Sequence, residues 1–284
     1  QYPMQLDLET VKKIVLNALE EDIGEGDITS ELLISDESRS KAEFITRQRA
    51  VVCGIPILEL IFSLEATNLE YFPNVIEGSN IQSGQKIFTV SGNTKSILKL
   101  ERVSLNILQR LCGISTTTRQ YADIIKHTNA KILDTRKTTP GLRVLEKYAV
   151  WIGGGTNHRF GLFDQVLIKD NHLQAVSGDI FKALELAKKA KEKGLKIEIE
   201  CDSLEQFKKV LEFGAADIVM LDNMTPDLLI EAVKMNNGRF ILEASGGINL
   251  ANIKAIAETG IDHISIGSLT HSAGNIDIGL DFIA

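Results

Sequence analysis

From Lys131 onward, short runs of β-branched and aliphatic residues alternate with longer stretches in which apolar residues recur every three or four positions. The first pattern predicts strands and the second amphipathic helices, and their regular alternation predicts βαβ units around a parallel sheet. The strands are KILDT (131–135), DQVLIK (164–169), LKIEIE (195–200), ADIVML (216–221), RFILEA (239–244) and HISIG (263–267). Helices fill the gaps over GLRVLEKYAVWI, DIFKALELAKKAKEKG, SLEQFKKVLEFG, PDLLIEAVKMNN and NLANIKAIAETG. Ser203 and Gln206 have capping-box spacing, Pro226 suits a first helical turn, and Gly194, Gly214 and Gly260 suit helix ends. The strand count falls short of the eight in a complete (β/α)₈ barrel, which leaves an open α/β barrel or a doubly wound sheet.

Residues 1–113 follow a different pattern. An amphipathic helix over Leu8–Glu20 precedes EDIGEGDITS, and short strands within KAEFITRQRAVVCG and QKIFTVSG are separated by glycine turns. A helix follows from about Lys95 to Leu111. This reads as an α+β domain over 1–113, joined near Gly113 to a barrel domain over 114–284 without a Pro/Ser linker.

Composition narrows the function classes. Of 284 residues, 44% are hydrophobic and 24% charged, with 5 Pro, as expected of a globular chain with a real core. A net charge of −7 argues against a nucleic-acid partner, because phosphate-backbone binding needs a basic face. No apolar run is long enough to span a membrane, and QYPMQLDLETVKKIVLNALEED lacks the apolar core of a signal peptide, so the expected location is cytoplasmic. Cys53, Cys112 and Cys201 are far apart and have apolar neighbours, which fits small buried thiols rather than a disulfide framework or a zinc site.

Against this acidic background, the chemistry gathers at the carboxyl ends of the strands, where parallel α/β folds bind their ligands. Cations follow the first two strands: Arg136 and Lys137 after KILDT, and Lys169 at the end of DQVLIK. Carboxylates mark the next two, with Glu200 and Asp202, then Asp222. Small residues and glycines follow the last two, in Ser245, Gly246 and Gly247, and in Gly267 with His271 beyond. A site divided in this way suits a ligand with a carboxylate-like end, a hydroxylated or metal-bound middle and a phosphate.

Strand alternation places Glu198 and Glu200 on one face, where lysines or a divalent cation could neutralise them; a structural salt bridge from Glu198 to Lys169 or Lys137 is the competing role. EASGGIN, running into a helix, and ISIGSLTHS supply free backbone N–H groups suited to phosphate. In WIGGGTNHRFGLFD, three consecutive glycines mark a closely approached loop, and His158 and Arg159 follow them. Together with Arg136 they could clamp a planar dicarboxylate. Thr139 and Pro140 read as the cap and first turn of the next helix, which would carry Arg143 away to a structural or surface role.

The strings ERVSLNILQRLCGIST, DTRKTTPGLR, EKYAVWIGGGTNHRFGLFDQVLIKDNH, IEIECDSLEQ, MLDNM, EASGGIN and SIGSLTHS closely resemble the quinolinate phosphoribosyltransferase family, from EDIGEGDITS to the chain end. The resemblance implies an N-terminal α+β sandwich domain and an open α/β barrel domain, with the last residues able to pack back on the first domain. It implies transfer of phosphoribosyl from 5-phosphoribosyl 1-pyrophosphate (PRPP) to quinolinate with Mg²⁺, giving nicotinate mononucleotide, pyrophosphate and CO₂. It also implies a homodimer or a hexamer in which Arg102 completes the neighbouring site.

By motif, Arg136, His158, Arg159 and the neighbour's Arg102 would bind the quinolinate carboxylates. Lys137 and Lys169 would meet quinolinate and PRPP. Glu200 and Asp222 would lie near the ribose hydroxyls and the metal, directly or through substrate, while Ser245, Gly246, Gly247, Gly267 and His271 would line the phosphate side. Trp151 and Ile152 depart from the family pattern before the glycines. Two other readings remain: a same-fold transferase for a different nitrogen heterocycle, and a non-catalytic protein that binds a phosphate ligand.

Overall fold

A computed structural model describes residues 6–283. Its contacts group into two compact units, one formed by the N-terminal residues through Arg119 with Thr138–Gly154 and the chain end from Leu269, the other by Gln120–Lys137 and Gly155–Ser268. The division is not a single cut at Gly113. The GLRVLEKYAVWI helix and the chain end both group with the N-terminal residues.

In the first unit, helix α1 (Leu8–Ile23) starts where Asp7 accepts the N–H groups of Glu9 and Thr10, and it buries Val11, Val15 and Leu19, one per turn. Asp27 caps α2 (Ile28–Leu33) in the same way. The sheet contains β1 (Arg39–Thr46), which pairs antiparallel with β5 (Lys86–Asn93), and β5 pairs in turn with β3 (Glu70–Pro73). Its other edge is β12 (Ile278–Ile283), from the end of the chain, paired with β1. A small ladder joins β2 (Ala50–Val51) to β4 (Asn80–Ile81).

Helix α3 (Ile55–Ser63) covers the sheet, where Phe44, Phe62 and Phe88 meet with ring centroids 5.8–6.2 Å apart and are essentially water-free. Burying each such ring contributes about 1.5–3 kcal/mol. Glu77 accepts the N–H groups of Gly54 and Ile55 and so caps α3.

The helix expected over 95–111 extends much further, as α4 (Thr94–Ile125). Gly113 lies inside it and does not end it. A Cβ at this position would collide with the carbonyl oxygen of Gly274, so the glycine serves a close backbone approach. All three cysteines are buried and unpaired. No helix among the described residues is long and apolar enough to cross a membrane.

The second unit is a six-stranded parallel sheet in the order β6-β11-β10-β9-β8-β7. Its strands are β6 (Lys131–Leu133), β7 (Val166–Ile168), β8 (Ile197–Cys201), β9 (Ile218–Asp222), β10 (Ile241–Ser245) and β11 (His263–Ser265). Four of them start two residues later than their apolar runs suggest. Just before β9, Asp217 accepts the N–H of Ile197, which opens β8, and just before β11, Asp262 accepts the N–H of Leu242 in β10, each at 2.8 Å.

β6 and β7 are consecutive in sequence yet stand at opposite edges of the sheet. The sheet nevertheless curls, because His158, two residues after a bridge to β6 at Thr156, reaches side chains on both β8 and β10. This is the open barrel.

Helices return along the sheet as α7 (Ile180–Ala187), α8 (Leu204–Phe213), α9 (Pro226–Asn236) and α10 (Ile253–Ala257), with a short α6 (Asp170–Ala175) before them and α5 (Arg143–Ile152) in the first unit. The expected 179–194 helix tightens into a 3₁₀ turn over its lysine-rich second half, and α10 is far shorter than 249–260. Gln206 does not complete a capping box on Ser203: its side chain accepts from Asp202 N instead.

Candidate active site at the carboxyl ends of the parallel strands

Glu200, near the end of β8, and Asp222, at the end of β9, lie on adjacent parallel strands. With Asp202 they place three carboxylate oxygens within 4.8 Å of one another. Burial first, and then the Asp222 charge, push the Glu200 carboxyl up to about 7, against the pull of Lys169. Asp222 is raised by burial and by Asp202, with Lys137 and Lys169 opposing. The strand ends thus bring together Lys137, Lys169, Glu200, Asp202 and Asp222, all of which stand at the ends of the expected strands. A cluster of hard oxygen donors, only partly offset by two lysines, fits Mg²⁺.

The second group is cationic. Asp134, fully buried after β6, accepts His158 N at 2.7 Å and Asn157 Nδ2 at 2.6 Å, pinning the NHR segment. Arg159 is 8% exposed, and its pKa is lowered by burial and then by the neighbouring Arg136 charge, with Glu198 and Asp164 opposing. Two guanidinium groups close enough to repel, one of them buried, could pair with a dianion.

His158 does not share that orientation. Its Nε2 lies 3.1 Å from Glu198 Oε2 and 3.2 Å from Glu243 Oε2, and both carboxylates are fully buried. Its Nδ1 accepts the Arg159 N–H at 2.8 Å. The partner expected for Glu198, Lys169 or Lys137, is thus replaced by a histidine.

Burial opposes charge on the His158 ring, but the two carboxylates outweigh it and raise its pKa to about 10. The Arg159 contact makes the opposite demand, since a protonated Nδ1 cannot accept. Both are met when Nε2 carries the ring proton and the further proton sits on Glu198, whose carboxyl is pushed up to about 8 by burial and by Glu243. Burial works against charge on Glu243, but His158 pulls its carboxyl down below the ordinary value, so it keeps its charge.

The glycine turn after β10 is open backbone. Gly246 and Gly247 have φ of 90° and 64°, which only glycine adopts without strain, and a Cβ on Gly246 would strike the Asn223 side chain. Asn223 N donates to Ser245 O at 2.9 Å, linking this turn to the strand end that carries Asp222. The turn does not run directly into a helix. Asn249 and Asn252 close a separate turn, with Asn252 Nδ2 donating to Gly247 O, and α10 begins only at Ile253. The helix-dipole argument for phosphate therefore does not apply, leaving the backbone N–H groups. Gly267 follows β11.

Arg102 and His271 belong to the other unit: Arg102 is exposed on α4, and His271 is exposed at the end of α11 (Ser268–His271), its Nδ1 2.5 Å from Ser272 Oγ. Within that unit Thr139 is not a helix cap. Its N–H and hydroxyl donate to Glu146 on α5 at 2.8 and 2.9 Å. Arg110 donates to the same carboxylate and to the carbonyls of Thr270 and Ala273, on either side of His271. Arg143 donates to Thr138 Oγ1 at 2.9 Å, in keeping with a structural role.

Comparison with known proteins gives a consistent result. Residues 27–112 match the family described as "Quinolinate phosphoribosyl transferase, N-terminal domain", and residues 114–281 match its C-terminal domain. A Bacillus subtilis protein described as a probable nicotinate-nucleotide pyrophosphorylase (carboxylating) is 41% identical over 95% of this chain and 93% of its own length. A Nicotiana glauca protein described as a mitochondrial quinolinate phosphoribosyltransferase (decarboxylating) is 40% identical over 95% of this chain and 81% of its own. The solved nicotinate-nucleotide pyrophosphorylase from Francisella tularensis superimposes with a TM-score of 0.92 at 36% identity, covering 100% of this chain and 99% of that one.

Proposed function

The chain belongs to the quinolinate phosphoribosyltransferase family, and from that premise we propose that it transfers phosphoribosyl from PRPP to quinolinate with decarboxylation, in the biosynthesis of NAD. The observation that carries this reading is the proximity of Arg136 to the buried Arg159, a pair of cations suited to a dicarboxylate, in the unit that also gathers Lys137, Lys169, Glu200 and Asp222.

The quinolinate ring nitrogen forms the bond to the ribose anomeric carbon as the bond to pyrophosphate breaks. The pyridinium that results stabilises the electron pair left on the ring carbon when the adjacent carboxylate departs as CO₂, and a proton from water then takes the place of the carboxylate. No enzyme nucleophile is required, so the side chains orient and stabilise charge. Arg136 and Arg159 hold the carboxylates in one plane, and Lys137 and Lys169 balance quinolinate and the PRPP phosphates. Glu200 and Asp222 face the ribose, where positive charge develops, and Ser245, Gly246, Gly247 and Gly267 offer backbone N–H groups to phosphate.

Glu200, Asp222 and Asp202 would hold Mg²⁺ directly or through substrate, and the ion would neutralise charge on the leaving pyrophosphate. We place the exposed Arg102 in the site of a second copy within a homodimer or larger assembly, and the enzyme in the cytoplasm. Calorimetric titration tests the dicarboxylate receptor. Each charge-assisted hydrogen bond contributes about 1.5–3 kcal/mol, so quinolinate should bind at least tenfold more tightly than nicotinate, which lacks one carboxylate. Equal affinities would remove the reading.

A further inference from the structure

Four side chains close a ring inside the barrel. Glu198 Oε2 meets His158 Nε2 at 3.1 Å and accepts from Gln165 Nε2 at 2.5 Å. His158 Nδ1 accepts the Arg159 amide at 2.8 Å, and the Arg159 guanidinium donates through Nη1 to the Gln165 carbonyl at 3.3 Å. Arg159 is therefore gripped at its backbone and at its head, and both grips end on one buried carboxylate. Glu243, opposite Glu198 and equally buried, closes on the same His158 nitrogen at 3.2 Å.

We propose that Glu198 and Glu243 are positioning residues for quinolinate capture: they hold His158 as a strut that aims Arg159 at the ligand, and His158 itself does not bind a carboxylate. The inference rests on the functional reading above and refines it by removing His158 from the ligand shell. The geometry supports this because both ring nitrogens already have protein partners and the side chain is 8% exposed. Two facing carboxyl groups, even with a proton on Glu198, are a costly way to fill a barrel interior. Fixing the one buried arginine of the receptor gives that arrangement a use.

Steady-state kinetics on the intact enzyme tests it, with KM measured separately for quinolinate and PRPP. Misplacing a ligand-binding group by about 1 Å can cost roughly 10²-fold. Glu243→Gln should therefore raise KM for quinolinate at least tenfold while leaving KM for PRPP within twofold. His158→Ala should do the same, and the double variant should be no worse than His158→Ala alone, because Glu243 acts through that ring.

Equal rises in both KM values, or multiplying losses in the double variant, would overturn the proposal in favour of general support of the barrel. So would a fall in melting temperature without a change in either KM. Gln165→Ala, which keeps the carbonyl under the Arg159 head but removes its tie to Glu198 and leaves both buried acids in place, gives the same readout if a charge variant does not fold. Absence of quinolinate turnover in the unmodified enzyme would instead count against the function itself, so the two failures are distinguishable.

Discussion

Glu200 and Asp222 lie at the ends of adjacent parallel strands with carboxylate oxygens within 4.8 Å of each other, and burial together with the Asp222 charge raises the Glu200 pKa to about 7. The folded protein keeps a proton that the unfolded chain releases at its ordinary value of 4.5. The resulting stability is complete below the unfolded pKa and is lost as pH rises through the folded one. Melting curves of the ligand-free protein between about pH 5 and pH 8 should fall less steeply for Glu200→Gln than for the unmodified chain. At pH 8 the variant should melt about 2 °C higher while losing activity, as expected where a functional site stores repulsion. Parallel curves would mean that the Glu200 pKa is not raised in the folded protein.

Arg136→Ala should lower kcat/KM for quinolinate by about 10²-fold or more, since truncating one partner of a buried charge pair costs about 2–5 kcal/mol. Arg136→Lys should recover little, because an ammonium cannot form the planar fork. Unchanged kcat/KM in the alanine variant would remove Arg136 from the receptor.

The Arg110–Glu146 pair anchors both the turn after Lys137 and the segment around His271. Glu146 is fully buried and Arg110 about one-quarter exposed. Breaking such a pair from the buried side costs about 3–5 kcal/mol, and the partial exposure of Arg110 puts the expected loss for Glu146→Ala near the lower end. Chemical denaturation measures it, and a loss below about 1 kcal/mol would show that the pair contributes no more than a surface ion pair.

At Gly113 two effects oppose each other. Alanine would gain about 1 kcal/mol in helix propensity. Its Cβ, however, would press on the Gly274 carbonyl, and overpacking costs about 1–3 kcal/mol. Gly113→Ala is therefore expected to destabilise or at best to break even, and a clear gain in melting temperature would show that the 274–275 segment moves aside freely.

The barrel was legible because its strands are buried on both faces and read as continuous apolar runs, with chemistry massed at one end. Lys137, Lys169, Glu200 and Asp222 could be found from their place after those runs alone. What was hidden depended on partners distant in sequence. Gly113 lies inside a continuous helix, and only the backbone at Gly274 explains why a glycine is there. Thr139 and Pro140 had the chemistry of a helix start, but Glu146 took the Thr139 donors.

His158 was placed with the arginines because it adjoins Arg159, whereas its ring pairs with Glu198 and Glu243. Glu243 offered a signal that went unused: a carboxylate in the middle of the apolar run RFILEA needs a buried partner, and Glu198 posed the same demand.

The most direct test of the account is turnover by the purified protein with PRPP and Mg²⁺, supplied with either quinolinate or nicotinate, following CO₂ release and mononucleotide formation together. Quinolinate should yield CO₂ and nicotinate mononucleotide in equal amounts, and nicotinate should yield neither. Turnover of nicotinate without turnover of quinolinate, or tight binding of quinolinate with no product, would contradict it.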